Sequence, residues 1–197
     1  VRQWRLHDPS AARLITGLKR DIALLQRVPT IGASEVLVCD LSVQRNRADL
    51  DRLLEGGAHV RWFDHHWSGA VPVHEGLEAH LDFSSDVCTS LLVDRFLDGR
   101  YRAWALVGAY GDELTAVADE LGAACGLDPL HRAVLRRLGV AINYNAYGET
   151  VEDLHYAPAD LYQTLARYRD ALGIARRCIV LHADTWRPAW SGGRQAA

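Results

Sequence analysis

Residues 35–41 read EVLVCDL, and residues 58–66 read AHVRWFDHH. Val36, Leu37 and Val38 form an unbroken apolar run, the pattern of a strand covered on both faces of a sheet. Ala58 to Phe63 reads as a second strand. Between the two, Asn46 to Leu54 carries Leu50, Leu53 and Leu54 on one side of a helix, and Gly56-Gly57 ends it. Strand, helix and strand in about 30 residues make a βαβ unit, whose two strands lie parallel.

Working outward, Val1 to Asp8 resembles the end of a helix, Ala12 to Gly17 a strand, and Asp21 to Val28 a helix stopped by Pro29. Trp67 to Ala79 is broken by Gly69, Pro72 and Gly76 and reads as loop. Helices are expected over Asp86 to Leu97, Ala103 to Leu121, Pro129 to Ile142 and Pro158 to Leu172. The expected fold is therefore α/β, a parallel sheet flanked by helices with a more helical C-terminal half. Residues 1–173 form the expected domain, and residues 174–197 a poorly specified tail.

The chain has 197 residues, a net charge of −3, 49% hydrophobic and 24% charged residues. That balance excludes a generally basic coat for nucleic acid but leaves room for a local basic groove. No apolar run reaches the roughly 18 residues of a membrane span. Cys39, Cys88, Cys125 and Cys178 are scattered, which reads as reduced thiols in a cytoplasmic protein and not as a disulfide or zinc framework. The 22 basic residues comprise 21 arginines and Lys19 alone.

The candidate chemistry gathers at predicted strand ends, which face the ligand crevice of a parallel sheet. Asp40 closes the first strand, and Asp64-His65-His66 the second. Carboxylates and imidazoles brought together suit a divalent transition metal such as manganese. Asp40 is equally a turn or capping residue, and Asp64–His66 equally a hydrogen-bonded turn. Asp112, in the largely apolar ALVGAYGDEL, needs a partner for its charge; a metal supplies one, and a helix cap at Gly111 is the alternative. Ser84, Ser85 and Thr89, around an expected helix start, either offer a phosphate site or serve as an ordinary N-cap. Tyr144, Tyr147, Asn143 and Asn145 either stack on a base or terminate a helix. Arg45, Arg47 and Arg61 either face phosphates or lie on a solvated surface.

VLVCDLS, WFDHH, SSDVCTSLLVDRF and AYGDE, in this order, resemble the DHH phosphoesterase family, with Asp40 25 residues before His65 and Asp112 47 after it. That family is similar in its core to RecJ-type nucleases, nanoRNases, cyclic-dinucleotide phosphodiesterases and family II pyrophosphatases. The likeness covers roughly Leu14 to Tyr147. It implies two manganese ions, with magnesium as an alternative, ligated by Asp40, His65 and Asp112. It implies that Asp64 orients the triplet and that His66 contacts the scissile phosphate. The implied reaction is manganese-dependent hydrolysis of a phosphodiester or phosphoanhydride. The implied partner is a phosphate-containing small molecule or short oligonucleotide, with no membrane involved and a homodimer left open. The family's D-x-D-G run is not in the chain and is expected upstream of Val1, and its C-terminal glycine-rich domain is also missing. The alternative is therefore a catalytically incomplete nucleotide- or protein-binding module. An unrelated single-metal protein is a third reading, which requires Asp112 to lie far from His65.

Overall fold

The computed structural model describes residues 1–30 and 35–176. Strand β1 (Glu35–Cys39), helix α2 (Arg47–Glu55) and strand β2 (His59–Asp64) form the βαβ unit, with Gly56 capping the helix. A third strand, β3 (Leu77–Leu81), extends the sheet in the order β1-β2-β3, with both pairings parallel. The register sets Cys39 beside Phe63 and Asp64 beside Leu81, so Asp40 and His65 leave the same edge of the sheet.

Alternation along β2 divides the core. Val60 and Trp62 face one side, where they pack with Val38, Leu50, Leu53, Leu54 and Leu25. Phe63 faces the other, against Val87, Leu92, Val93 and Leu97 of the α3 region (α3, Thr89–Phe96) and against Trp4 of α1 (Arg2–His7). Both faces of β1 and β2 are thus covered by helices, which is why their sequence is apolar with little interruption. A separate helical layer is built from α4 (Arg102–Gly111), α5 (Thr115–Ala124) and α6 (Pro129–Tyr144), with Leu106, Tyr110, Leu135 and Leu138 buried between them. Asp128 caps α6 by accepting from the His131 amide at 2.8 Å, and Pro129 occupies the first turn. Helix α7 (Pro158–Ala166) and a helical segment at 171–176 complete the described chain.

Several expectations are corrected. Ala12 to Gly17 forms no strand: its neighbourhood gives its backbone groups to side chains, Thr16 carbonyl to Arg27 (3.0 Å) and Leu18 amide to Asp21 (3.0 Å). Asp21 to Val28 is reduced to a 3₁₀ turn at Leu24–Arg27. The buried Asn46 side chain donates to the Ile22 carbonyl, and Arg52 donates to the carbonyls of Leu25 and Val28, so acceptors a longer helix would use are already engaged. The expected loop over Trp67 to Ala79 contains the start of β3, whose Leu77, Ala79 and Leu81 alternate with polar residues. The helix expected from Asp86 begins at Thr89, because Cys88 is extended (φ −129°, ψ 165°). The helix expected over Ala103 to Leu121 breaks after Gly111, where Glu113 adopts φ 63°. The helix expected to Leu172 stops at Ala166. Ile174 and Ala175, assigned to the tail, are buried in the helical core, while residues 177–197, with Cys178, lie outside the described residues.

Candidate metal centre

Asp40 follows β1 directly and adopts φ 65°, a left-handed conformation that only Gly, Asn and Asp visit readily. Its amide donates to the Phe63 carbonyl (3.0 Å), which continues the β1–β2 ladder and turns the side chain outward. Asp40 Oδ1 accepts a 2.7 Å hydrogen bond from the buried Thr89 hydroxyl, at the first residue of α3. The hydroxyl thereby fixes the carboxylate's orientation.

His65 is held from behind: its Nδ1 lies 2.9 Å from the Val87 carbonyl, an acceptor only, so Nδ1 carries the proton. Nε2, the remaining ring nitrogen, lies 3.6 Å from Asp40 Oδ1 and 3.5 Å from Asp112 Oδ2. Asp112 reaches this point because it caps the C-terminus of α4, where the helix dipole is negative. Burial raises the Asp112 carboxyl above the ordinary carboxylate range, and the charge of Asp40 adds to this while His65 works against it.

His66 projects on the exposed side of the cluster. Its Nδ1 lies 2.7 Å from Oδ1 of Asp64, which is fully buried. Burial works against a proton on His66. The hydrogen bond and charge of Asp64, with the charges of Asp40 and Asp112, outweigh it, so the imidazole pKa is raised. Among the described residues Asp64 Oδ2 is buried with no partner, and the carboxylate's polar contact is with His66. Ligand atoms of Asp40, His65 and His66 all lie within 4.8 Å of one another.

These residues fit a divalent ion. Asp40, His65 and His66 bring ligand atoms within 4.8 Å of one another, and Asp112 adjoins them at His65 Nε2; acceptors this close require a cation or a proton among them. Two ligand atoms about 2.1 Å from one ion, at 90–110° to each other, lie about 3.0–3.4 Å apart, close to the 3.5 and 3.6 Å found here. Mixed carboxylate and imidazole donors suit manganese or another first-row ion. The α4 dipole and the two carboxylates favour positive charge at the same place.

The structure sets Asp40 and Asp112 each beside His65 Nε2, while the ligand atoms that lie mutually close are those of Asp40, His65 and His66, without Asp112; Asp112 is not distant from His65 as the single-metal alternative required. A ring nitrogen of His66 also comes within the ligand cluster, where the resemblance implied a contact to the scissile phosphate. Of the three residues expected to bind substrate, Thr89 reaches the site, through Asp40. Ser84 does not: its amide and hydroxyl both donate to Asp82 Oδ1, at 3.0 and 2.6 Å, in a turn ahead of the helix where Ser85 is also exposed. Arg47 and Arg61 are engaged by Asp51 and Glu78. Asn145 is structural, exchanging hydrogen bonds with the backbone of Tyr156 (2.9 and 3.0 Å). Cys39 and Cys88 are free thiols whose pKa values burial raises, so neither is primed as a nucleophile.

Two features beside the cluster escaped the sequence. Trp67, next to His66, and Phe83, after β3, are exposed with ring centroids 5.5 Å apart; neither belongs to a periodic pattern. Lys19 sits near the Asp112 side, and its one signal was being the only lysine in an arginine-rich chain. Comparison of the chain with protein-family profiles, with curated proteins and with solved structures finds no match. No described helix is long and apolar enough to cross a membrane.

Proposed function

We propose that this chain carries the centre of a manganese-dependent phosphoesterase of the DHH type, acting on a phosphodiester or phosphoanhydride, with a nucleotide or short oligonucleotide as substrate. One observation carries the reading: Asp40 Oδ1 and Asp112 Oδ2, from separate layers of the fold, lie 3.6 and 3.5 Å from the same nitrogen, Nε2 of His65. When bound, the ion supplies Lewis-acid polarisation of a phosphoryl oxygen and lowers the pKa of a water it holds.

The chain's own residues have distinct parts. Val87 fixes the His65 tautomer, and Thr89 fixes the Asp40 carboxylate, so the ligand set is arranged before anything binds. His66, braced by Asp64 and biased toward its protonated form, presents an N–H donor to a phosphate oxygen at the exposed face of the cluster. Asp64, buried and hydrogen-bonded to the ring, keeps it in one orientation.

A second reading, a binding module without turnover, is favoured by the size of the ligand set: among the described residues Asp40, His65 and His66 gather and Asp112 adjoins His65, fewer ligands than two ions ordinarily need. Manganese titration by calorimetry, followed by a hydrolysis panel of short oligoribonucleotides, cyclic dinucleotides, single-stranded DNA and pyrophosphate, separates the two. Manganese binding that His65→Ala abolishes, together with metal-dependent hydrolysis, supports the enzyme. Binding without hydrolysis supports the module, and no manganese binding rejects both.

A further inference from the structure

We propose that Lys19, Arg20 and Tyr147 form a subsite for a second phosphate of a nucleotide substrate, beside the phosphate under attack. The inference rests on the reading of the metal centre given above. The three residues line a surface cleft with Ala146, Gly148 and Glu149.

The first observation is how Lys19 is held. Its ammonium lies 3.3 Å from the Asn143 amide oxygen, 3.0 Å from the Tyr147 hydroxyl and 4.4 Å from the centre of the Tyr147 ring. All three partners are neutral. Arginines such as Arg47, Arg52, Arg61 and Arg102 are paired with carboxylates, whereas Lys19 makes no ion pair among the described residues. Arg20 likewise spends a guanidinium N–H on a carbonyl, that of Gly148 at 3.2 Å, and not on an acid. Glu149 is the one acid of the cleft and pairs with neither cation. Two exposed cations whose hydrogen bonds go to neutral groups, with no carboxylate in ion-pair contact, are free to meet an anion, and a compact ammonium suits phosphate as a point charge.

The second observation is position. Asn143, which holds Lys19, packs against the end of α4: a Cβ placed on Gly111 would lie 3.8 Å from the Asn143 Cβ. Asp112 is the next residue, and its carboxylate feels the Lys19 charge. The cleft therefore opens beside the Asp112 side of the metal cluster. A nucleotide spans such a separation when one phosphate meets the centre and another the cleft.

The test uses phosphorothioate-linked diuridine, which resists hydrolysis, in three forms: unphosphorylated, 5′-phosphorylated and 3′-phosphorylated. Binding to the full chain is measured by calorimetry with manganese present, for the wild type, Lys19→Gln and Lys19→Arg. One phosphorylated form is expected to bind about ten-fold tighter than the unphosphorylated one, the equivalent of about 1.4 kcal/mol. Lys19→Gln should erase that contrast and Lys19→Arg retain most of it. Manganese affinity should not fall in either variant, because Lys19 touches no ligand atom and its charge beside Asp112 opposes a cation. Wild-type protein that binds manganese but treats the three dinucleotides alike overturns the subsite and leaves the centre standing. A Lys19-dependent contrast in protein that binds no manganese supports the subsite and overturns the centre. A contrast that survives Lys19→Gln overturns the assignment to Lys19.

Discussion

Replacing Gly139 with alanine tests whether the helical layer positions Asp112. Gly139 lies on α6 where it crosses α4, and an added Cβ would stand 2.3 Å from the Val107 carbonyl oxygen, 2.9 Å from the Gly111 amide nitrogen and 3.0 Å from the Tyr110 Cβ. Ordinary contact begins near 3.4 Å. Relief therefore requires the two helices to part by about 1 Å, since the closest atoms are backbone and no side chain can swing aside. Overpacking of this kind costs about 1–3 kcal/mol, and backbone obstruction puts Gly139→Ala at the upper end. Removing a helical glycine returns about 1 kcal/mol, which leaves a net loss of about 2 kcal/mol. For a chain of this size that corresponds to a fall in Tm of about 4–8 °C. Urea unfolding should show a lower midpoint at unchanged slope, which marks a stability change and not a change in compactness. Because the displaced stretch of α4 ends at Asp112, manganese affinity should fall as well. A variant as stable as the wild type, with unaltered manganese binding, would refute the claim that this contact sets the position of Asp112.

Other perturbations address single contacts. Thr89→Val removes the donor to Asp40 while keeping shape, and should weaken manganese binding by about 10–100-fold with the fold intact by circular dichroism; unchanged affinity would show that Asp40 needs no such brace. Asp40→Ala should weaken manganese binding more than His66→Ala, as calorimetry can read, because Asp40 lies beside His65 Nε2 whereas His66 is held by Asp64; the reverse order would make His66 a principal ligand. Partial burial works against ionisation of Glu78, but hydrogen bonds from His80 and Arg61 hold its carboxyl below the ordinary 4.5. A depressed folded-state pKa contributes stability that is complete above 4.5 and lost as pH falls through the lower folded value. The stability difference between wild type and Glu78→Gln should therefore be constant above pH 4.5 and shrink below it; a gap in urea midpoint that widens on acidification would contradict the assignment.

The βαβ unit was legible because its signals are local. The apolar run of β1, the leucine spacing of α2 and the glycines that end it all lie within one short stretch. The approach of Asp40 to His65 was legible from strand-end placement, whereas Asp112, read within an apolar helical stretch, was tied to them by the resemblance of the motifs. What stayed hidden depended on distant partners. Residues 21–28 have helical spacing, yet Asn46 and Arg52, some two dozen residues on, claim their carbonyls. β3 alternates over five residues and was masked by the glycines and proline before it. The break after Gly111 lies inside an apolar stretch, and only the φ of Glu113 exposes it. The environment of Lys19 is set by Asn143 and Tyr147, over 120 residues away, a relation no local pattern carries.

Asp40 and His65 leave the edge of the sheet, whereas Asp112 leaves the end of a helix in the other layer. Anything that grips all three is therefore a clasp between two layers, beside the Ser90 hydroxyl's bond to the Ala105 carbonyl and the Arg102–Asp94 pair. Ligand present at 100 times its dissociation constant adds about 2.7 kcal/mol to the folded state. Here that increment would fall on the seam between layers. Amide exchange should register it there, slowing at the end of α4 and in the Asp40 turn while the centre of β2, already enclosed on both faces, changes least.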